Sequence, residues 1–191
     1  MKSQAKKNSD IENDDMIERN ILIDQILLNE DKFTEKEIED HVLTFVSGYE
    51  TWANALAHTM LLLAIHPEIQ KKCVDEINGV FHSKDIEIGA ESMNQLQYLD
   101  MVQKEAYRLL PTVPIVLRQV RENFELKQGL VIPKNVHFMI NLYALHRRKD
   151  VWGEDADKFN PDNFLPEKAN NRHPFSFLPF SSGQRNCIGK L

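Results

Sequence analysis

Cysteine is scarce in this 191-residue chain, which contains only Cys73 and Cys187. Two cysteines do not make a disulfide framework and favour a reducing environment. Basic residues are also outnumbered, with 23 Lys and Arg against 29 Asp and Glu. The resulting net charge of −6 argues against nucleic acid as a partner. Cys73 lies in a helical pattern, so we expect it to be a packed side chain and not a metal ligand.

Long apolar runs are absent as well. The longest one, Met60–Ile65, is far shorter than the roughly 20 residues that a bilayer crossing needs. The first ten residues, MKSQAKKNSD, have no apolar core and therefore do not resemble a signal peptide. They predict a solvated, disordered lead-in over residues 1–14. A chain of this length has room for one substantial core or two small ones.

Helical periodicity dominates the first half of the sequence. Thr34 and Glu37 have capping-box spacing, which predicts a helix that begins there and ends at His66, before Pro67. At ~1.5 Å per residue this helix is about 50 Å long, a length typical of a helix at the centre of a large core. Further helices are predicted over residues 15–28, 67–78 and 98–110.

Beyond residue 115, short β-like runs separated by turn residues replace the helical periodicity. Residues 150–179 contain four prolines and are predicted to be irregular, and loops of that length are uncommon unless they are functional. The fold is therefore predicted to be mainly α-helical with a small β-sheet. The predicted strands are 115–120, 130–132 and 136–140, and a short helix is predicted over 142–147.

The stretch from Phe180 to Gly189 reads FSSGQRNCIG, and its residue types suit a cysteine that binds iron. A thiolate is the form that binds metal, and a nearby cation or helix N-terminus favours it. Gly183 and Gly189 would let the backbone pass close beneath a flat macrocycle. Arg185 suits a carboxylate such as a haem propionate, and Phe180 would keep water from the sulfur of Cys187. The local alternative is a buried, inert cysteine in a glycine-containing loop.

This stretch resembles the haem-binding signature Phe-x-x-Gly-x-Arg-x-Cys-x-Gly of the cytochrome P450 family, which it matches at every specified position. A phosphatase loop is excluded, because there the cysteine precedes its arginine. The resemblance implies that Cys187 ligates the iron of haem b, and that its thiolate donates electron density that favours O–O cleavage. Arg118 matches the position from which the family directs a cation to a propionate. Its alternative is an ordinary arginine at a strand edge.

Residues 47–52 read SGYETW and lie in the middle of the long predicted helix. Glycine costs up to about 1 kcal/mol relative to alanine there, so Gly48 suggests that space is needed. An acid next to an alcohol, as in Glu50-Thr51, would suit proton delivery, although taken alone it is more simply an exposed pair. The segment resembles the family's oxygen-activation motif, Ala/Gly-Gly-x-Asp/Glu-Thr-Thr/Ser. The resemblance implies that Glu50 and Thr51 are catalytic.

Two positions depart from that motif. Ser47 stands where the family has Ala or Gly, and Trp52 stands where it has Thr or Ser. In the fatty-acid ω-hydroxylase branch, the position of Ser47 can carry a glutamate that esterifies the haem, so serine predicts no covalent link. Trp52 and residues 113–116 are the candidates for substrate contact. The run Arg147–Lys149 is most simply solvated, with a docking patch for an acidic electron-transfer partner as its alternative.

Glu105 and Arg108 are three residues apart and would meet on one helix face. In isolation this spacing is common by chance and describes a surface pair worth ~0.2–1 kcal/mol. It stands where the family has Glu-x-x-Arg, which implies a buried pair that clamps the long loop. The family's usual third member is an arginine in Pro-x-Arg-Phe. Here the sequence is PDNF over 161–164, so Asn163 would supply hydrogen bonds without charge.

Four motifs in the family's order make residues 15–191 similar to the C-terminal two-fifths of an animal microsomal cytochrome P450 near the ω-hydroxylase branch. The resemblance implies a long central helix, a haem-binding loop and a partial domain that is incomplete at both ends. It also implies a monooxygenase that inserts one oxygen atom from O2 into a small apolar substrate. Its electrons would come from NADPH through a reductase, with cytochrome b5 as a further candidate partner. The full-length protein would lie at the cytosolic face of the endoplasmic reticulum, anchored through a segment that precedes this chain. The alternative is a truncated, non-catalytic product that binds haem weakly or not at all.

Overall fold

The computed structural model describes Ile26, residues 32–83 and residues 88–190. The predicted lead-in over residues 1–14 lies outside these residues, as does the predicted helix over 15–28, apart from Ile26, which is helical and buried. The chain divides into two compact units, residues 1–47 and residues 48–191. The division falls within the first long helix, and the residues discussed as a candidate site lie almost entirely in the second unit.

The long helix, α1, spans Glu35–Ile65. It begins with a capping box, in which the Thr34 backbone N–H donates to Glu37 Oε2 (2.8 Å) and the Glu37 N–H donates to Thr34 Oγ1 (3.3 Å). These bonds satisfy donors that have no partner within the first helical turn. The helix ends one residue before the predicted His66, because Pro67 disfavours a helical conformation at the residue that precedes it. The next helix, α2, begins at that proline and spans Pro67–Val80.

A hydrophobic core in the second unit joins three helices. The third of them is α4, Gln97–Leu109, which follows a single turn, α3, at Ala90–Met93 that the sequence did not predict. Cys73 on α2 is buried as expected, and its burial raises the pKa of the thiol. The core cluster comprises Leu62, Leu63, Ile69, Cys73, Val102, Ala106, Leu109 and Phe159.

The β structure of the described residues forms two separate antiparallel pairs. Strand β1, Ile115–Gln119, pairs with β4, His137–Asn141. Strand β2, Phe124–Lys127, pairs with β3, Leu130–Ile132, across a turn in which Gly129 has φ +78°. The turn at Gly129 was predicted, whereas β2 was missed although its sequence, FELK, alternates apolar and polar residues as a strand does; all four residues are exposed. The expected single small sheet is therefore two hairpin-like ladders.

The stretch predicted to be irregular contains a series of one-turn helices. Proline stands at the start of three of them, where its fixed φ suits the first helical position and its missing N–H costs nothing. Within residues 32–83 and 88–190, no helix is both long enough and apolar enough to cross a membrane. The predicted short helix over 142–147 is observed as α5, Leu142–Leu145. The one-turn helices of the stretch predicted to be irregular are α6 Lys149–Trp152, a 3-10 turn at Pro161–Phe164, α7 Pro166–Ala169 and a 3-10 turn at Pro174–Ser176.

Truncation of a core leucine tests this arrangement. Leu109 is buried at the end of α4, whereas Leu126 is exposed on β2. Leu109→Ala should lower the free energy of unfolding by about 2–5 kcal/mol, because it leaves a cavity among α1, α2 and α4. Leu126→Ala should change it by no more than about 0.5 kcal/mol. Urea titration of both variants measures the difference, and equal losses would contradict the core assignment.

Candidate functional site

The loop that carries Cys187 is closed by its own backbone. The Cys187 N–H donates to the Phe180 carbonyl (2.9 Å), and the Asn186 N–H donates to the Gly183 carbonyl (3.1 Å). Gly183 has φ +80°, a left-handed conformation that glycine adopts without the penalty of a side chain. The Cys187 thiol is free and exposed. The alternative of a buried, inert cysteine is therefore not what the structure shows.

Strand β1 is tied to this loop by Arg118. One guanidinium nitrogen donates to Ser181 Oγ (2.7 Å) and to the Arg185 carbonyl (3.3 Å), and another donates to the Leu117 carbonyl (2.9 Å). Ser181 is a non-glycine residue at φ +60°, a conformation that surrounding contacts must hold in place. The Arg118 side chain is one such contact, and it brings a cation next to the loop of Cys187.

The charges of this region suit an anionic ligand. Among the described residues, neither Arg118 nor Arg185 has a carboxylate within 4.0 Å. An exposed thiol that could bind iron, and two arginines without a carboxylate partner among the described residues that could bind propionates, suit a haem. The residues present therefore fit the cofactor that the sequence motif predicts.

The remaining members of the predicted signature differ in their surroundings. Phe180 makes an edge-to-face contact with the ring of Tyr107 on α4, with centroids 5.9 Å apart. A Cβ placed on Gly189 would lie 3.8 Å from Cys187 Sγ, an ordinary van der Waals contact. Packing against the sulfur does not by itself demand glycine at position 189. Its predicted role beneath a macrocycle stays a prediction.

Glu105 and Arg108 form a buried, bidentate ion pair. Both residues are 0% exposed, Arg108 Nε donates to Glu105 Oε2 (2.7 Å), and an Arg108 terminal nitrogen donates to Glu105 Oε1 (2.7 Å). Glu105 Oε1 also accepts from the Asn160 N–H (2.9 Å) and from Asn163 Nδ2 (3.1 Å). The structure thus brings all three predicted clamp residues together, and Asn163 contributes a neutral hydrogen bond.

The other donors of Arg108 hold the backbone of the segment that follows β4. Its guanidinium donates to the carbonyls of His146 (2.8 Å), Ala156 and Lys158 (3.1 Å). Buried charges are costly unless their hydrogen-bonding capacity is satisfied. Five bonds from one guanidinium meet that requirement and fix three carbonyls around α4.

His146 is a buried residue that sequence analysis missed. Its Nε2 accepts the Leu178 backbone N–H (3.0 Å), and its ring lies 5.3 Å from that of Phe177. Burial, together with the charge of Arg108, lowers the pKa of His146 from 6.5 to about 4. The neutral ring therefore carries its proton on Nδ1, which has no partner among the described residues. Only contacts across 32 residues reveal this role, so local periodicity gave no signal for it.

The predicted catalytic pair lies on α1. Glu50 and Thr51 are both exposed, and the contacts around Cys187 described above do not include them. A Cβ on Gly48 would meet no described atom within 4 Å, so packing against the described residues does not explain this glycine. The Ser47 hydroxyl donates to the Leu43 carbonyl (2.8 Å). Trp52 is 70% exposed.

The basic run at 147–149 is paired with acids. Lys149 Nζ lies 2.9 Å from Glu154 Oε2, and Arg148 pairs with Asp150. Arg147 corrects the expectation of a solvated run, because its side chain is only 16% exposed and lies 3.2 Å from an Asp157 oxygen. Its guanidinium also lies 3.7 Å from the ring centre of Tyr143. These pairings neutralise the run locally and weigh against an open cationic docking patch.

Removal of one charge tests the buried pair. Glu105→Gln leaves the Arg108 guanidinium buried without its counter-charge, so the free energy of unfolding should fall by about 3–5 kcal/mol. Asp100→Asn on the same helix removes a carboxylate from an exposed pair with Lys104, and the expected loss is below about 1 kcal/mol. Urea unfolding of the two variants gives the comparison. Similar small losses for both would contradict the buried clamp.

Acid titration tests His146. Unfolded histidine binds a proton below about pH 6.5, whereas folded His146 does so only near its pKa of about 4. The unfolded state therefore binds more protons between these values, and the free energy of unfolding should fall by about 3 kcal/mol as the pH drops from 6.5 to 4. His146→Gln should flatten this slope, and His137→Gln at an exposed position should keep it. An unchanged slope in His146→Gln would contradict the assignment.

The chain is similar in sequence to known proteins over most of its length. The chain is 40% identical over 179 residues to "Probable cytochrome P450 313a4" of Drosophila melanogaster, which covers 93% of this chain and 36% of that protein. It is 38% identical over 159 residues to "Cytochrome P450 4c3" of the same organism, covering 82% of this chain and 29% of that protein. The chain thus spans about a third of the length of these relatives.

A solved structure and a family model agree with these relatives. The fold superposes on a crystal structure of a cytochrome P450 (CYP102L1) with a TM-score of 0.75 and 31% identity, covering 83% of this chain and 36% of that one. The family model described as "Cytochrome P450" matches residues 2–191. With the exposed cysteine, the closed loop and the buried Glu105–Arg108 pair in place, the chain belongs to the cytochrome P450 family.

Proposed function

We propose that this chain is the C-terminal part of a haem-thiolate monooxygenase near the ω-hydroxylase branch, with Cys187 as the axial ligand of haem b. The observation that carries the proposal is the exposed Cys187 thiol, held in a backbone-closed loop that the Arg118 guanidinium contacts at Ser181 and at the Arg185 carbonyl, with no carboxylate partner for Arg118 among the described residues. When bound, haem b supplies a redox-active iron that activates O2 for insertion of one oxygen atom into a substrate. The surrounding side chains would bind the haem, exclude water from it and deliver protons.

The loop and β1 would bind and shield the cofactor. Arg118 and Arg185 would each bind a propionate by charge-assisted hydrogen bonds, and Arg118 already points at the loop through Ser181. Phe180 would exclude water from the sulfur and is held by the Tyr107 ring. Gly183 keeps the left-handed turn that brings the backbone around Cys187.

Proton delivery is the proposed role of Glu50 and Thr51. A carboxylate and a hydroxyl at adjacent positions can relay a proton if the helix around them leaves room for water. The adjacency of Glu50 and Thr51 on one exposed stretch of α1 is what supports that role. Trp52, which replaces a hydroxyl residue of the motif, would narrow the same region and contact a small apolar substrate.

The partners and location are proposed from the family. Electrons would come from NADPH through a reductase, with cytochrome b5 as a further donor, and the full-length protein would face the cytosol from the endoplasmic reticulum membrane. The ion pairs at 147–149 neutralise that run locally and weigh against it as the reductase surface. Similarity to proteins named cytochrome P450 supports the family membership on which this part of the proposal rests.

A truncated, non-catalytic product is the second candidate. The second half of α1 exposes large apolar side chains, including Leu56, Met60 and Leu61, that a catalytic protein would cover with further chain. A polypeptide without that cover would hold haem weakly. Sequencing the reading frame on both sides separates the candidates, since coding sequence supports the monooxygenase and stop codons support the truncated product.

Carbon monoxide spectroscopy tests the ligand. In the longest reading frame that contains this chain, expressed with haem and reduced, the carbon monoxide adduct should show a strongly red-shifted Soret band. Cys187→Ala should abolish the shift, because no thiolate then binds the iron. Cys73→Ala removes a buried thiol that plays no part in the loop and should retain the shift. A shift that survives Cys187→Ala, or none in the unaltered protein, would overturn the proposal.

A further inference from the structure

Arg172 stands out beside the buried pair, just after α7. Its guanidinium donates to the Asn163 backbone carbonyl. The same group lies 4.1 Å from the ring centre of Trp152 and 5.5 Å from that of Phe164. A half-buried arginine with one carbonyl partner and two aromatic partners is held in a single place, unlike a solvated surface side chain.

Trp152 connects this arginine to the clamp. The guanidinium of Arg108 lies 4.9 Å from the centre of the same indole ring, so two cations contact one buried aromatic side chain. The indole is attractive to both because its ring faces carry negative potential. One of the two cations belongs to the Glu105–Arg108 pair, and the other is Arg172.

The number of charged groups in the clamp suggests a role for Arg172. The motif to which Asn163 belongs ordinarily carries an arginine at that position, so a clamp would contain one carboxylate and two guanidiniums. Here Asn163 is neutral and donates only a hydrogen bond to Glu105. We propose that Arg172 restores the second guanidinium of the clamp from nine residues further along the chain, bound to the backbone of Asn163 and to the Trp152 ring.

Electrostatics supports the assignment. Burial lowers the pKa of Arg172, attraction by Glu105 opposes that lowering, and repulsion by Arg108 adds to it. Arg172 therefore lies within the field of both members of the pair. No charged atom of Arg172 lies within 4.0 Å of Glu105 in the part of the chain that the structure describes, so the attraction acts across Asn163 and not through a direct ion pair.

The position of Arg172 also bears on the thiolate loop. Phe164, which it contacts, packs at 4.8 Å against Phe177, and Phe177 precedes the Leu178 N–H that donates to His146. Loss of Arg172 would loosen the aromatic group of Trp152, Phe164 and Phe177 just before the loop begins. Arg172 is thus a positioning residue that acts on Cys187 through this segment.

A rescue experiment tests the proposal in the longest reading frame that contains the chain. Arg172→Gln should raise the equilibrium constant for unfolding by about tenfold, which is within the range seen for residues that share partners. Adding Asn163→Arg returns a guanidinium to the motif position, so the double variant should recover to within about twofold of the unaltered protein. Lys168→Gln removes a neighbouring exposed cation that makes no such contacts, and it should change stability by less than about twofold.

Two readouts distinguish this proposal from the monooxygenase proposal. Only the second readout depends on the haem-thiolate function. Urea unfolding requires no haem and tests the clamp alone. The half-life of the red-shifted carbon monoxide adduct reports whether Cys187 stays in place, and it should shorten in Arg172→Gln and recover in the double variant. If unfolding shows no rescue, or if Arg172→Gln behaves as Lys168→Gln does, the proposal is wrong. Rescue in unfolding without any red-shifted band would support Arg172 and contradict only the haem-thiolate function.

Discussion

The buried ion pair of Glu105 and Arg108 is the interaction on which the rest of the second unit depends. Removing two charges from water is unfavourable, and their attraction offsets that cost only when every remaining donor and acceptor is bonded. Arg108 meets this demand with five bonds, three of them to carbonyls far along the chain. The electrostatic requirement of one helix thus dictates the course of the segment from His146 to Lys158. With fewer acceptors, the Arg108 guanidinium would be buried with unsatisfied N–H donors.

A continuous set of contacts leads from that pair to the cysteine. Arg108 binds the carbonyl of His146, the ring of His146 accepts the Leu178 N–H, and two residues later Phe180 binds the N–H of Cys187. Three of these links are hydrogen bonds, and the short chain segment from Leu178 to Phe180 joins the last two. The placement of the exposed sulfur is therefore a consequence of buried chemistry about 80 residues earlier in the sequence, which explains why the two features occur together in one fold.

Short-range features of this structure were predictable from sequence, and long-range ones were not. The capping box at Thr34 and the closeness of Glu105 to Arg108 depend on residues three apart on a helix, and the end of α1 depends on the residue directly before Pro67. The strand β2 is only four residues long and was not predicted. The one-turn helices at Pro161–Phe164, Pro166–Ala169 and Pro174–Ser176 were missed because proline breaks the interior of a helix, whereas each of these helices begins at a proline, which suits the first helical position. His146 and Arg172 act only through partners brought near by folding, so no local pattern distinguishes them from any other histidine or arginine.

The loop of Cys187 is ordered by the protein's own contacts, and this bears on the affinity of a ligand for it. Ser181 and Gly183 both have positive φ, and the conformation is maintained by the Cys187–Phe180 backbone bond and by Arg118. A loop that is already in one conformation loses little entropy when a ligand binds, so more of the interaction energy appears as affinity. Arg118 can act both before and after an anionic ligand binds. Its present hydroxyl and carbonyl partners are neutral, and a carboxylate is a stronger acceptor for the same guanidinium. A guanidinium carries five N–H donors, and the three hydrogen bonds of Arg118 to Leu117, Ser181 and Arg185 leave donors with which an anion can bind while the turn that presents the sulfur stays intact.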